Sequence, residues 1–247
     1  MAIYDKFAEQ YSTSMSEEGD YFHKTQIDPY IYEVVGNLKG KTVYDIGCGN
    51  GYMARYFAKM GAKVYASDAS SRLIEDAKEK SKGLDLTYSV RDALDFEGFD
   101  KSMFDAIVMN MVIHYIKDLN KLFAGISSIL KDKGVFAFST SHFFRPDYPR
   151  SEWVAGKIDN EDTLFIKVTG YLSREKRVVT SGWDNKTKMA IYNHPLNELV
   201  NTMSKHGLYT FKVEEPESVG FAKSFSEELQ KSHYIPTFIT IGAKKLS

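Results

Sequence analysis

Residues 45–53, DIGCGNGYM, combine a carboxylate, Asp45, with glycines at 47, 49 and 51. Glycine costs backbone entropy, so such a cluster marks a place where bare backbone is needed. The glycines follow a short apolar run, KTVYDIG (41–47), and precede a helical stretch from Tyr52 to Met60. Strand, glycine loop and helix in that order make the generic turn on which backbone approaches a nucleotide. The spacing Gly47-x-Gly49-x-Gly51 departs from the G-x-G-x-x-G of a pyrophosphate loop. Asp45, two residues ahead of the first glycine, would repel phosphate but attract an ammonium or sulfonium group.

Three more polar positions close predicted strands. Asp68 ends KVYASDA (63–69), 17 positions after Gly51, where a carboxylate can accept both hydroxyls of a ribose. Asp92 ends LTYSVRD (86–92), followed by Ala93, where a carboxylate can meet an adenine amino group. Asn110 ends FDAIVMN (104–110), with Met111 next. Ligands of an open parallel sheet gather at the carboxyl ends of its strands, so all four features converge on one edge. A glycine cluster alone is often just a turn; the ordered set is much harder to dismiss.

The elements that position these residues are legible from periodicity. Ile3, Phe7 and Tyr11 share one face of an N-terminal helix, and residues 12–27 form a polar stretch expected as a mobile flap. DPYIYEVVGNLKG reads as a helix with Asp28 as N-cap, Pro29 in the first turn and Gly40 beyond its end. From residue 41 strands alternate with helices, with Ser70 as a cap for one of them and another segment starting at Asp118. GVFAFSTS (134–141) is the fifth strand. The alternation implies a doubly wound α/β fold, a mostly parallel sheet with helices on both faces. LYTFKVEE and TFITIGAKK add a final antiparallel pair, giving seven strands, with an acidic helical stretch around 224–231 between them. Residues 143–190 interrupt the pattern with strand-like TLFIKVTGYL and KRVVTSGW and both tryptophans, and read as an inserted β-rich cap over the ligand edge. The organisation expected is N-terminal helices and flap (1–40), a core domain (41–142 and 191–247) and the cap (143–190).

Composition sets the outer limits. The 247 residues are 43% hydrophobic and 26% charged, the balance of an ordinary globular protein. With 32 basic against 33 acidic residues, the formal charge of −1 draws the chain neither to nucleic acid nor to anionic lipid. The N-terminus lacks a signal-peptide pattern, and no apolar run is long enough to span a bilayer. Cys48 is the single cysteine, so no internal disulfide forms, and a reducing cytoplasm is the expected location. Spaced Cys and His of a zinc site are missing, so no metal is expected.

VYDIGCGNGYMARYFAKMGAKVYASDAS, with VRDAL and FDAIVMNMVIHYIKDL, resembles the class I S-adenosylmethionine-dependent methyltransferases, particularly their small-molecule-type bacterial members. The likeness covers roughly residues 30–141. It implies a Rossmann-like sheet and S-adenosyl-L-methionine as cofactor. By position it implies that Asp45 and the loop Gly47, Cys48, Gly49, Asn50 and Gly51 hold the methionine part. Asp68 would take the ribose with Ala69 beside the adenine, Asp92 and Ala93 the adenine ring, and Asn110 and Met111 the sulfonium side. Tyr11 would close over the cofactor from the N-terminal helix, or simply pack in the core.

A sulfonium methyl is already activated, so the protein mainly supplies alignment and exclusion of water. His114 and His142, after the fourth and fifth strands, are candidate catalytic groups, though a lone histidine is more often a hydrogen-bonded structural residue. Tyr115, Trp153, Tyr171, Trp183 and Tyr192 are candidates for the acceptor site. Cys48 lacks a neighbouring base in sequence and reads as a small buried side chain. The expected function is methyl transfer to a small-molecule acceptor by a monomer or homodimer. RNA or protein methylation, a non-catalytic cofactor-binding module and a nicotinamide oxidoreductase are the competing readings.

Overall fold

The computed structural model describes residues 2–144, 151–174, 176–182, 184–217 and 236–246. The apolar stripe of Ile3, Phe7 and Tyr11 forms two pieces: a 3₁₀ turn, Ile3–Lys6, and α1, Ala8–Ser14. They break at Phe7, whose φ of −137° leaves the helical range while its ring is fully buried. Tertiary contacts dictate the break. The Ser70 hydroxyl donates to Asp5 Oδ1 at 2.6 Å, and Arg72 donates to the Asp5 carbonyl at 3.0 Å.

The polar stretch expected as a flap carries buried Met15, Gln26 and Ile27, and His23–Ile27 makes a π-helical turn. α2, Asp28–Val35, has Pro29 in its first turn as expected. Its Asp28 does not cap the helix, because the carboxylate turns inward to Tyr52 and Asn110. The helix ends at Gly36, which adopts a φ of +63°, rather than near Gly40.

Strands and helices then alternate: β1 (Thr42–Ile46), α3 (Tyr52–Lys59), β2 (Lys63–Asp68), α4 (Ser71–Lys80), β3 (Leu86–Val90), β4 (Phe104–Asn110), α5 (Leu119–Ile129) and β5 (Leu130–Ser141). Ser70 Oγ accepts the Leu73 N–H at 3.2 Å, the expected cap, and Asp118 Oδ1 accepts the Lys121 N–H at 2.9 Å, capping α5 as well. β5 begins before Gly134; its pairing with β4 shifts register between Phe104 and Ala106, which lets the strand run straight on from α5.

β6 (Ser151–Ile158) pairs with β7 (Glu161–Val168), and β8 (Lys176–Thr180) with β9 (Lys188–Tyr192), as two antiparallel hairpins. The two stretches read as strand-like therefore pair within separate hairpins and not with each other. α6 (Leu196–Lys205) follows Pro195, and β10 (Leu208–Glu214) and β11 (Phe238–Lys245) complete the main sheet. The acidic stretch at 224–231 lies outside the described residues.

The main sheet has seven strands in the order β3-β2-β1-β4-β5-β11-β10. β1 to β5 run parallel and β11 is antiparallel to both its neighbours. Side chains two apart share a face, and the sheet uses both faces as core. Tyr44, Ile46, Ile107 and Met109 pack in one cluster with α5 and α6; Val43, Ala106 and Val108 pack in the other with α2 and α3. Burial on both faces explains why these strands read as unbroken apolar runs. Among the described residues no helix is long and apolar enough to cross a membrane.

Candidate functional site

β1 delivers Asp45, 1% exposed, to the carboxyl edge of the sheet, and the chain turns at once into the glycine loop. The N–H groups of Gly47 and Cys48 both donate to the Ser67 carbonyl, at 2.7 and 2.9 Å, folding the loop over β2. Gly47 and Gly49 adopt φ values of +72° and +57°. A Cβ on Gly47 would strike Val112, and one on Gly49 would lie 2.6 Å from the Tyr11 hydroxyl. Bare backbone is thus required twice over, by conformation and by neighbours.

Asp68 ties the loop down, Oδ2 accepting the Gly49 N–H at 3.0 Å and Oδ1 the Ser70 N–H at 2.8 Å. The loop borders a cavity of about 800 Å³. Its wall runs from Asp45 past Asp68 and Asp92 to Asn110 and Met111, then on to His114, Tyr115 and Tyr4. The Tyr4 and Tyr115 hydroxyls pair at 2.8 Å across that end.

The electrostatics are unusual. Burial pushes the Asp45 carboxyl up to about 8, with Asp68 and Asp28 adding repulsion. Its Oδ2 is buried with no hydrogen-bond partner among the described residues. Burial also raises Asp28, to about 7, against the pull of His23 and hydrogen bonds from Tyr52 (3.1 Å) and Asn110 (2.9 Å). Asp68 is raised by burial, though the Ser70 and Gly49 N–H groups oppose the shift. The two raised carboxyls on the cavity wall, Asp45 and Asp68, favour a cationic guest and disfavour phosphate. The Cys48 thiol, 5% exposed, is pushed well up by burial and stays protonated, which leaves no thiolate nucleophile.

Residues 44–138 match the family model described as a methyltransferase domain, the segment that holds the loop, Asp68, Asp92 and Asn110. That segment is similar to methyltransferase domains, and the fold is similar to that of S-adenosylmethionine-dependent methyltransferases. A ubiquinone biosynthesis O-methyltransferase of Pasteurella multocida is 30% identical over 151 residues, 55% of this chain and 62% of that protein. The chain thus spans less than two thirds of that relative. An uncharacterised protein of Haemophilus influenzae is 26% identical over 226 residues, 88% of this chain and 86% of its own length. In structure, an S-adenosylmethionine-dependent methyltransferase from Mesorhizobium loti superposes with a TM-score of 0.73 at 22% identity, covering 87% of this chain and 96% of that one.

The methyltransferase fold brings most of the expected residues to one cavity: Tyr11, Asp45, Gly47, Cys48, Gly49, Asp68, Ala69, Asp92, Ala93, Asn110, Met111, His114 and Tyr115 all line it. Others stand elsewhere. Asn50 is buried and donates to the Met15 carbonyl at 3.2 Å, and Gly51, at a φ of +77°, begins α3. His142 is outside the wall: its Nε2 meets Glu215 at 2.9 Å, and its Nδ1 accepts the Phe144 N–H at 3.2 Å. Tyr171 packs on Phe143 and its hydroxyl accepts the Leu196 N–H at 2.9 Å; Tyr192 lies beside His194. Neither tyrosine lines this cavity. The side chain of Trp153 and the whole of Trp183 lie outside the described residues.

The cavity wall also holds residues that sequence reasoning missed: Tyr4, Asp20, Phe22, His23, Tyr52 and Phe238, and Lys188 to Ala190 of β9. Their signals were faint. Tyr52 follows the glycine loop directly, and Asp20 and His23 stand at a capping interval inside a stretch that looked merely polar.

Proposed function

We propose that this protein transfers a methyl group from S-adenosylmethionine to a small-molecule acceptor. The observation that carries the reading is the Asp45 oxygen, buried and unpartnered among the described residues, beside a glycine loop and on a cavity that continues past Asp68 and Asp92 to Tyr115. An ammonium group satisfies that oxygen, and the loop lets backbone approach closely, so the residues present fit the cofactor.

Asp45 and the Gly47–Gly49 backbone would hold the methionine part, Asp68 the ribose, Asp92 and Ala93 the adenine, and Asn110 and Met111 the sulfonium side. The cofactor supplies an activated methyl group. The chain's own task is to align the acceptor and keep water out. Tyr4, Tyr11, Tyr115 and Met189 form a largely apolar wall for that purpose. At about 800 Å³ the cavity lies towards the large end of the roughly 300–1,000 Å³ typical of small-ligand sites. The Pasteurella relative is named as a methyltransferase of ubiquinone biosynthesis, which favours a small organic acceptor over a macromolecule.

Calorimetric titration with S-adenosylhomocysteine tests the reading. Binding in the micromolar range is expected; no heat at millimolar ligand overturns it.

A further inference from the structure

Asp20 and His23 take no part in the cofactor assignment, yet both stand on the cavity wall. His23 Nδ1 lies 2.8 Å from Asp20 Oδ1, and the same oxygen accepts the His23 backbone N–H at 2.9 Å. Burial pushes the Asp20 carboxyl up, but the hydrogen bond and charge of the His23 ring and the His23 N–H outweigh it, and the net direction is down. An ionised carboxylate at Nδ1 fixes the ring as the Nδ1–H tautomer and leaves the Nε2 lone pair as an acceptor. His23 is 16% exposed in its side chain, buried enough to be held and open enough to be reached.

The groups facing the ring are Asp20 from its own segment, Asp28 from α2, and Tyr52 from α3 with ring centroids 5.8 Å apart. Lys24, next in the chain, pairs with Glu18 at 2.6 Å. The other buried histidines are spoken for. His142 uses both ring nitrogens within the protein, and His194 places Nε2 2.7 Å from the Ile116 carbonyl and Nδ1 3.5 Å from Glu198. His114 also reaches the cavity, its Nδ1 facing the Thr140 hydroxyl at 3.3 Å. On the wall, the His23–Asp20 pair is a carboxylate-oriented imidazole.

Resting on the methyl-transfer reading above, we propose that His23, oriented by Asp20, is the catalytic base for an acceptor bearing a phenolic or enolic hydroxyl. As the acceptor O–H bond breaks, its proton passes to His23 Nε2 and the oxygen electron pair forms the new O–CH₃ bond. The electron pair of the broken C–S bond stays on sulfur, giving a neutral thioether, and the imidazolium then returns its proton to solvent. The base itself points to the acceptor class. An amine attacks through a free lone pair and loses its proton afterwards, and a thiol ionises near pH 8.5, whereas a phenol near 10 gains from a positioned base. Phe22, Tyr4, Tyr115 and Phe238 offer flat surfaces for an unsaturated ring.

The first test needs no acceptor. Long-range nitrogen–proton correlation spectra of the ligand-free protein report the tautomer of neutral His23: Nδ1–H is expected, shifting towards Nε2–H in Asp20→Ala. An Nε2–H ring in the wild type, or no shift in the variant, overturns the dyad. S-Adenosylhomocysteine should bind His23→Gln within about twofold of wild type. A loss beyond tenfold makes His23 a cofactor ligand and overturns the base assignment, while failure of the wild type to bind overturns methyl transfer itself and leaves the tautomer result standing. With catechol and aniline as probes, catechol should be methylated, and His23→Gln should lose about 10²–10⁴-fold in kcat together with the acid limb of the pH profile. An unchanged kcat, methylation of aniline alone, or turnover of neither probe overturns the assignment.

Discussion

Asp45 carries the clearest pH signature at the residue scale. Folded, its carboxyl titrates at about 8; in the unfolded chain an aspartate titrates near 3.9. Between about pH 4 and 8 the native state therefore binds more protons, and stability falls as pH rises through that window. Asp28, at about 7, adds to the same slope. Thermal midpoints of the ligand-free protein should fall more steeply from pH 5.5 to 8 in wild type than in Asp45→Asn, and parallel curves would discount the burial effect. A cationic guest prefers the ionised carboxyl, so S-adenosylhomocysteine affinity should rise from pH 6 to 8.5 and flatten in Asp45→Asn. Asp68→Ala removes the acceptor for the Gly49 N–H of the loop and the Ser70 N–H at the start of α4, as well as the proposed ribose contact. Hydrogen bonds to charged groups contribute about 1.5–3 kcal/mol, so calorimetry should show affinity lower by roughly 10- to 100-fold. An unchanged affinity would remove the ribose assignment.

At the scale of elements, α3 holds the segment before α2 in place through one arginine. Arg55 is 2% exposed and forks onto Glu17, Nε at 3.1 Å and Nη2 at 3.0 Å, while Nη1 reaches the Asn50 carbonyl at 2.7 Å. Geometry of this kind gives a charge-assisted pair its strength. Glu17, however, is 58% exposed, and solvent screens the pair. Glu17→Gln should cost about 1–2 kcal/mol in urea unfolding and speed amide exchange across residues 15–27 before the sheet is affected. Unaltered exchange there would mean that the fork does not hold the segment. Periodicity could not show this tie, because Arg55 looks like any surface arginine on a helix until Glu17 is brought to it.

Over the whole molecule, the cavity is closed by parts distant in sequence: residues 2–23, the edge of β1 to β4, β9 and the start of β11. A ligand that binds only this arrangement stabilises all of it. At about a hundredfold excess over Kd, S-adenosylhomocysteine should add roughly 2.7 kcal/mol to unfolding and slow amide exchange in residues 2–27 as well as in the loop. Protection confined to the loop would separate the N-terminal segment from the site.

The alternation of strands and helices, the cap at Ser70 and the four strand-end motifs were all readable by themselves, because they depend on local periods, local hydrogen bonds and backbone conformation. Those signals determined the doubly wound sheet and the edge that carries the cavity. Other features were decided only by tertiary structure. Asp28 was drawn from capping into the interior, the N-terminal helix broke at Phe7, a polar flap became a cavity wall, and Asp20 with His23 reached the site while His142 was turned away to Glu215. In each case the partner lies far along the chain or in another element, and burial, which sets both contact and ionisation, exists only once the layers have packed.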